Sequence, residues 1–385
     1  MYKIALKMLT EDKTKYIGMI ISLSFSALII TQQAAIFIGL MKRTYSIITD
    51  TTQADIWVMD GNVQMIDDVK PLRDTDLYRV RSIKGVSWAV PFFKGLIRAR
   101  MSNGRFQICN LIGIDDETLI GAPYTLTQGA VTSLRNPDAI IVNNVGATDK
   151  LALDQGPKKP KIPLAVGDIL ELNDRRAYVV GICDITRPFL SQPLIYTTYK
   201  RALSFSPFER KLLSFILVKA DETISPKNLC NLINATTPFA AYTRQEFKNR
   251  TIMYYLENTG IPINFGLAIF LGLLIGAVIA GQIFYNFITD NLKYLALLSV
   301  MGAPRILLAK MTILQALWVA LLGWGIGSGC AALIGYLTRN TELAFHLPWE
   351  LFVGTGLTIF TICVSAALIN IRRIFNIDLD MVFKK

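Results

Sequence analysis

Residues 263–288 read INFGLAIFLGLLIGAVIAGQIFYNFI, a stretch of 26 residues that contains no Lys, Arg, Asp or Glu. An α-helix rises about 1.5 Å per residue, so roughly 20 apolar residues are enough to cross the hydrocarbon core of a bilayer. Three further charge-free apolar runs of comparable length lie at residues 16–40, 311–337 and 351–371. The sequence therefore predicts four transmembrane helices.

These runs are distributed unevenly along the chain of 385 residues: one lies near the N-terminus and three lie in the last third. The polar stretch that separates the first two runs is long enough to fold as an independent domain. A soluble two-domain enzyme is disfavoured, because 52% of the residues are hydrophobic, the mean hydropathy is +0.40, and core helices rarely run this far without a charge.

The predicted fold is that of an α-helical membrane protein with a one-plus-three arrangement of helices and an extracytoplasmic, two-lobed α+β domain between the first two. The predicted segments are, in chain order, a cytoplasmic amphipathic helix at 1–15, the first transmembrane helix at 16–40, the extracytoplasmic domain with its stalk ends at 41–261, the second transmembrane helix at 263–288, a cytoplasmic segment at 289–310, the third transmembrane helix at 311–337, a short outer loop at 338–350, the fourth transmembrane helix at 351–371 and a cytoplasmic tail at 372–385.

Basic residues that flank the predicted helices indicate the orientation of the chain. Eleven Lys and Arg residues lie in the N-terminal segment, the connection between helices two and three, and the C-terminal tail, whereas the short loop between helices three and four has only Arg339. We therefore expect both termini in the cytoplasm and the large domain outside. The first run is longer than the apolar region of a signal peptide and no small-x-small site follows it, so we expect it to remain as a helix.

The large domain alternates short strand-like runs with turn signals in the order βαββ, an all-β insertion, then βαβ, which is typical of an α+β domain. Residues 102–104, Ser-Asn-Gly, indicate a hairpin, and residues 156–161 are interpreted as a solvated loop. The strand-like runs are residues 55–59, 86–90, 95–101, 105–114, 139–142, 168–172, 177–182, 214–218 and 239–242, and the helical runs are residues 73–82 and 226–235.

The sequence excludes several kinds of chemistry. It has no phosphate-binding loop, no nucleophile elbow and no zinc-protease motif, and its only histidine is His346, so we expect no catalytic site, no metal site and no ATP hydrolysis by this chain. The run Asp115-Asp116-Glu117 is interpreted as a solvated corner. No Lys/Arg cluster with interleaved aromatics indicates nucleic-acid binding, although the formal net charge is +11.

Of five cysteines, Cys109, Cys183 and Cys230 fall in the large domain, which allows at most one internal disulfide.

The predicted helices contain no charged residue, which argues against an ion-coupled transporter or a selective pore. Their polar side chains either hydrogen-bond between helices or fix a bend in a moving helix; they include Gln32, Gln33, Gln282, Asn286 and Gln315. Glycines one helical turn apart allow close helix packing in lipid, either within one bundle or across a dimer seam. These are Gly272, Gly276, Gly323, Gly325, Gly327 and Gly329.

The cytoplasmic segment after helix two is unusually apolar. It predicts a short helix over residues 291–301 that ends at Gly302, with Pro304 starting the next element. Several apolar side chains of this helix need to be covered by lipid or by a groove on another protein. They are Leu295, Leu297, Leu298, Val300 and Met301.

Residues 289–303, Thr-Asp-Asn-Leu-Lys-Tyr-Leu-Ala-Leu-Leu-Ser-Val-Met-Gly-Ala, resemble the corresponding segment in permease subunits of MacB/FtsX-type ABC transporters, and most closely in DevC-like exporters. The one-plus-three arrangement agrees, as do the short motifs at residues 166–168, Val-Gly-Asp, and 178–181, Tyr-Val-Val-Gly. The family often carries charged residues where this chain has Tyr294 and Ser299. The resemblance implies that residues 41–261 form a MacB-type periplasmic core domain and that residues 263–380 form an FtsX-like permease domain.

The resemblance implies a non-catalytic permease subunit in a bacterial inner membrane, working as a homodimer with a separate ABC ATPase that holds ATP and Mg²⁺. ATP-driven motion would pass through the stalk helices to the outer domain, together with a periplasmic adaptor (membrane fusion protein) and a TolC-like outer-membrane channel. FtsX-like activation of an outer enzyme and Lol-like lipoprotein release remain open alternatives. The residues implied in ATPase coupling are Asp290, Lys293, Tyr294, Leu297, Leu298, Met301 and Gly302.

Overall fold

The computed structural model describes residues 2–154, 160–207, 212–339 and 341–375. Contacts divide the chain into two compact units, Met1–Leu40 with Gly260–Lys385, and Met41–Thr259. The helices are α1 (Tyr2–Glu11), α2 (Lys13–Thr44), α3 (Ser46–Asp50), α4 (Asp74–Arg81), α5 (Tyr199–Phe205), α6 (Pro226–Thr236), α7 (Arg244–Asn258), α8 (Ile261–Asp290), α9 (Leu292–Val300), α10 (Arg305–Leu337) and α11 (Trp349–Phe375).

The strands all belong to the second unit. They are β1 (Ile56–Asp60), β2 (Val86–Arg100), β3 (Phe106–Ile114), β4 (Leu126–Gly129), β5 (Ala139–Asn143), β6 (Ile169–Leu172), β7 (Arg175–Cys183), β8 (Leu194–Thr198), β9 (Phe215–Ala220) and β10 (Phe239–Thr243). A mixed α/β domain between the first two long helices confirms the predicted fold class.

The first unit is a helical bundle. Among the described residues, four helices are long and apolar enough to cross a bilayer, namely α2, α8, α10 and α11. In the bundle, α2 packs against α8 and α10 through positions where glycine allows close approach, and α11 packs against both α8 and α10. Gly356 of α11 similarly leaves room for the ring of Trp324, whose ring centre is 4.5 Å from that of Phe352.

The second unit contains a sheet in which β2 belongs to two lobes. Residues 86–92 of β2 pair with β9, and residues 93–100 pair with β3. We predicted two separate strands, at 86–90 and 95–101, and that prediction was wrong. The run continues through Pro91, because a proline fits a strand wherever the ladder does not need its N–H.

The first lobe has the strand order β10-β1-β9-β2, and its core follows the period of two that strands impose. On one face of β1, Ile56 and Val58 pack in the cluster that also holds residues of α4 and α6. On the other face, the Trp57 ring lies 5.3–5.7 Å from the rings of Phe92, Phe215 and Phe247. Because Phe247 belongs to α7, this aromatic cluster fixes α7 against the lobe.

The second lobe has the strand order β2-β3-β8-β5-β7-β4, with β6 pairing with both β2 and β7. Its pairings are mixed, since β3 pairs with β8 and β5 with β7 in parallel, whereas β2 pairs with β3 antiparallel. The loop expected at residues 156–161 falls mostly outside the described residues. The two lobes therefore share one long strand, and the buried cluster on each side of the sheet contains residues of both lobes.

Candidate functional site

The site expected from the sequence lies where α8 is followed by the short helix α9 and then by α10. The turn after α9 is closed by hydrogen bonds from the Gly302 N–H to the Ser299 carbonyl and from the Ala303 N–H to the Leu298 carbonyl, both 3.0 Å. Gly302 has φ of +94°, a left-handed conformation that side chains other than glycine's rarely adopt. This closed turn therefore fixes the position of α9 relative to α10.

The inner side of α9 is covered by its own chain. Leu295 is 4% exposed and belongs to the core of the helical bundle, and Ala296 is buried beside it. Leu298 is partly buried against the same core. Leu295 was among the residues expected to need a partner, and that expectation was wrong, because α9 folds back so that this residue packs against the bundle.

The outer side of α9 is apolar and uncovered among the described residues. Leu297 is 48% exposed and Met301 is 74% exposed, and Tyr294 and Val300 lie between these extremes. We name these four residues the α9 outer face. Lys293 is also exposed, whereas Ser299 is half-buried. An exposed apolar strip on a short helix between two spanning helices is suited to pack into a groove.

Asp290, at the end of α8, forms a half-exposed ion pair with Lys15. Its carboxylate accepts a hydrogen bond of 2.6 Å from the Lys15 ammonium group near the start of α2, and Asp12 lies 3.4 Å from the same ammonium group. Both side chains of the Lys15–Asp290 pair are about half exposed, so the pair contributes little to stability. It nevertheless joins the beginning of α2 to the end of α8, directly before α9.

The polar side chains of the spanning helices have different partners. Gln282 donates to Asn286 along the exposed side of α8, at 3.4 Å, so this pair does not join two helices. The buried Gln315 amide donates to the Ala5 carbonyl at 2.6 Å and does join two helices, α10 and α1. Gln32 and Gln33 are half-buried.

Asn370 was overlooked in the sequence. It lies within the run 351–371, and its amide donates to the Gly281 carbonyl at 3.3 Å, which joins α11 to α8. An amide on the same helix face as Ala366, within an otherwise apolar run, was a sequence signal that could have found it.

The six glycines singled out in the sequence divide into two groups. A Cβ atom on Gly272, Gly276, Gly323 or Gly327 would press against α2, most severely at Gly327, where it would meet the Ser24 carbonyl oxygen. A Cβ atom on Gly325 or Gly329 would meet nothing within 4 Å. One face of α10 therefore packs within the bundle, and the adjacent glycine face is open.

The large domain contains a buried acidic residue, Asp115, and three buried thiols. Asp115 is buried, contrary to expectation, because it accepts hydrogen bonds from the backbone N–H and the hydroxyl of Thr118 at 2.9 and 2.6 Å. Cys109, Cys183 and Cys230 are free and buried, and burial raises the pKa of each thiol to about 12. Among the described residues, no three His, Cys, Asp or Glu side chains are grouped to hold a metal ion.

Comparisons with known proteins match both parts of the chain. The family model of the MacB-like periplasmic core domain matches residues 17–235, and that of the FtsX-like permease C-terminal domain matches residues 266–379. Among solved structures, the periplasmic region of MacB from Actinobacillus actinomycetemcomitans has 16% identity and a TM-score of 0.37, covering 55% of this chain and 96% of that one. The extracellular domain of the ABC-type transporter YknZ from Gram-positive bacteria has 15% identity and a TM-score of 0.34, covering 49% and 98%. A comparison with curated proteins found no match.

Proposed function

Since this chain belongs to the family of ABC-type permeases with a MacB-like periplasmic core domain and an FtsX-like permease domain, we propose that it couples ATP hydrolysis by a separate ATPase subunit to movement of its outer domain. It is a multi-pass membrane protein with an extracellular domain, and it is a permease subunit. The partner ATPase would hold ATP and Mg²⁺, and this chain would supply the docking surface and the moving helices.

The α9 outer face is the observation that carries this proposal. Its four apolar side chains stand on a short helix whose inner side is locked to the bundle by Leu295 and whose end is fixed by Gly302. A rigid apolar strip can transmit displacement, because a push on α9 reaches α8 and α10 at the same time. Lys293 lies beside the strip and adds a positive charge at its rim.

A mechanical role fits the absence of charge from the spanning helices. The described part of the bundle has no Asp, Glu, Lys or Arg in the central part of any spanning helix, so it lacks the groups with which transporters bind and release ions. The chain enters the outer domain after α2 and leaves it through α7 into α8. Displacement of α2 or α8 is therefore passed to the domain through the covalent chain.

The wider assembly is part of the same proposal. We place both termini and α9 in the cytoplasm of a bacterial inner membrane, from the bias of Lys and Arg toward the loops on that side. The permease would act as a homodimer in a DevC-like exporter, with a periplasmic adaptor and a TolC-like channel. Substrate would be driven outward by the moving outer domain and would not pass through the bundle.

Charge introduced on the α9 outer face tests this proposal. We expect Leu297→Glu and Met301→Glu each to lower the ATPase rate of the purified permease–ATPase complex at least tenfold, because burying a carboxylate in an apolar interface costs on the order of a few kcal/mol. Leu298 is a poorer position for this test, because it also packs on the bundle. The rate is measured in detergent with the complex co-purified through a tag on this chain.

Leu337→Glu is the matched control, because Leu337 is 69% exposed at the opposite end of α10 and carries the same change of charge. We expect it to leave the ATPase rate within about twofold of wild type, since Leu337 lies outside the α9 outer face. Full ATPase activity and normal co-purification in both α9 variants would refute docking through this face.

A further inference from the structure

Among the described residues, part of one face of the second lobe of the outer domain carries exposed side chains. Where β3, β2, β6 and β7 lie side by side, alternate residues point into the core, among them Ile97, Cys109 and Leu170. The residues between them point to the other side of the sheet and are exposed or half-exposed. We name the outward-pointing residues of segments 96–100, 106–108, 169–171 and 176–178 the arginine–aromatic face.

Large apolar side chains stand on this face. Leu96, Phe106, Ile108 and Ile169 are each close to half exposed. In the β2–β3 register Phe106 lies opposite Arg100 and Ile108 lies opposite Arg98, so apolar and arginine side chains alternate on this face. A group of exposed apolar side chains on one face marks an interaction site, whereas single exposed apolar residues do not.

Arginines lie between these apolar side chains and stack on aromatic rings. The guanidinium carbons of Arg98 and Arg100 lie 4.6 and 5.6 Å from the centre of the Phe106 ring, and that of Arg176 lies 4.8 Å from the centre of the Tyr178 ring. Stacking holds a guanidinium group in place, so less side-chain freedom is lost when it binds a carboxylate.

The face carries an excess of positive charge. Its three arginines and one glutamate give a net charge of +2. Glu171 lies 3.6 Å from Arg100, and no carboxylate of the described residues forms an ion pair with Arg98 or Arg176. The nearest lysine along β2, Lys94, is buried and paired with Asp67 at 2.6 Å. The guanidinium groups of Arg98 and Arg176 can therefore bind carboxylates of a partner protein.

A cavity of about 370 Å³ opens at the edge of the face, beside Leu96. Its wall combines the apolar side chains of Val69, Pro71, Phe93, Leu96 and Leu212 with Ser214 and the Asp67–Lys94 ion pair. Its size is sufficient for a large apolar side chain of a partner, and protein interfaces gain most of their affinity from a few such buried anchors.

We propose that the arginine–aromatic face docks an extracytoplasmic protein whose contact surface combines carboxylates with an apolar side chain that enters the cavity beside Leu96. The composition favours a protein partner, because Arg and aromatic residues are enriched and Lys is depleted in protein–protein interfaces. This inference does not depend on coupling through α9, since it rests on the outer domain alone.

Two other occupants fit the face less well. A second copy of the chain, related by a two-fold axis, would bring arginines against arginines, and such like-charge contacts are destabilising. A lipid surface attracts clusters of basic residues beside side chains that insert deeply, whereas these apolar side chains are only half exposed within a sheet.

The test uses the full chain in the cells that make it, with the photo-crosslinking residue p-benzoylphenylalanine at Ile108. We expect irradiation to link Ile108 to one extracytoplasmic protein, and peptide mapping to place the link in a segment that contains Asp or Glu. The same probe at Tyr124, which is exposed but lies outside the face, is the control and should not link to that protein.

Charge reversal then distinguishes specific docking on this face from a crosslink formed by chance proximity. We expect Arg98→Glu with Arg176→Glu to lower the crosslinking yield at least tenfold, and replacement of the mapped partner carboxylate by Lys to restore it. Lys84→Glu, at an exposed position two residues before β2 begins, is the control and should not change the yield. Continued protection of the buried Cys109 from thiol reagents shows that the variants are folded.

Several results would overturn the proposal. They are a link from Ile108 to a second copy of this chain, a link to lipid alone, the absence of any link, and a link whose yield is unchanged by reversal of both arginines.

Discussion

At the scale of single residues, Asp50 shows how the fold constrains a carboxyl group in the outer domain. It lies at the end of α3 and is buried, where it accepts hydrogen bonds from the Thr186 backbone N–H at 3.0 Å and the Thr186 hydroxyl at 3.2 Å. Burial raises the pKa of Asp50 to about 6, although these hydrogen bonds and the charge of Lys42 act in the opposite direction.

This pKa predicts how stability depends on pH. Because the folded-state pKa is higher than that of an unfolded Asp, about 3.9, the folded domain binds the proton more tightly. The resulting stabilisation is full below about pH 4 and is lost as the pH rises through about 6. Asp50→Asn keeps the shape of the side chain and has no charge, so its stability should not change over this range.

We therefore expect the wild-type domain to open more readily than the Asp50→Asn domain as the pH rises from 4 to 7, by a ratio of roughly fiftyfold. The measurement is the rate at which the buried thiol of Cys183 reacts with a thiol reagent, in full chains that lack the other cysteines. The two chains are compared at each pH, so the intrinsic pH dependence of the reagent cancels. A ratio that stays flat or falls with pH would contradict the prediction.

Single residues also show what the sequence could and could not reveal. The turn at Gly302 was predictable, because glycine followed by proline after an apolar helix is a local signal. The burial of Leu295 was not predictable, because it depends on the angle at which α9 meets the bundle. The bonds of Asp50 to Thr186 join residues 136 positions apart, and no local pattern indicates such a pair.

Among the elements, α10 has glycines that pack against its own chain and glycines that are open to contact with another chain. Gly327 approaches the backbone of α2 at Ser24, whereas Gly329 has open space beside it. Both are glycines in the same helix, so a change to leucine alters helix propensity equally at the two positions.

We expect Gly327→Leu to destabilise the bundle by about 1–3 kcal/mol or more, because the added side chain must displace α2. Gly329→Leu should leave the melting temperature of the monomeric chain unchanged in detergent. Equal destabilisation by both variants would contradict the packing described for α10. If Gly329→Leu changes only the oligomeric state, the open glycine face is the dimer seam that the sequence left as an alternative.

The secondary structure elements were predictable to different degrees. The four spanning helices were found because a charge-free apolar run is a strong signal that depends on no other part of the chain. β8 was missed, since its five residues are buried on both faces and show no alternation. α7 was also missed, although Thr243 and Glu246 form a capping box that is a recognisable helix start.

For the molecule as a whole, the proposed coupling requires that α2 and α8 move relative to each other when the ATPase works. The two helices meet closely at Gly272, where a Cβ atom would lie 3.7 Å from the Cβ atom of Ile29. Disulfides join residues whose Cβ atoms are about 3.5–4.5 Å apart, so Ile29→Cys with Gly272→Cys should form a bond that locks the helices together.

The most direct measurement is the ATPase rate of the purified permease–ATPase complex with this lock, in a chain whose native cysteines are replaced, before and after reduction with dithiothreitol. We expect the oxidised complex to hydrolyse ATP at least tenfold more slowly than the reduced one, and neither single-cysteine variant to respond to dithiothreitol. An oxidised complex with fully formed disulfide that hydrolyses ATP as fast as its reduced form would contradict the claim.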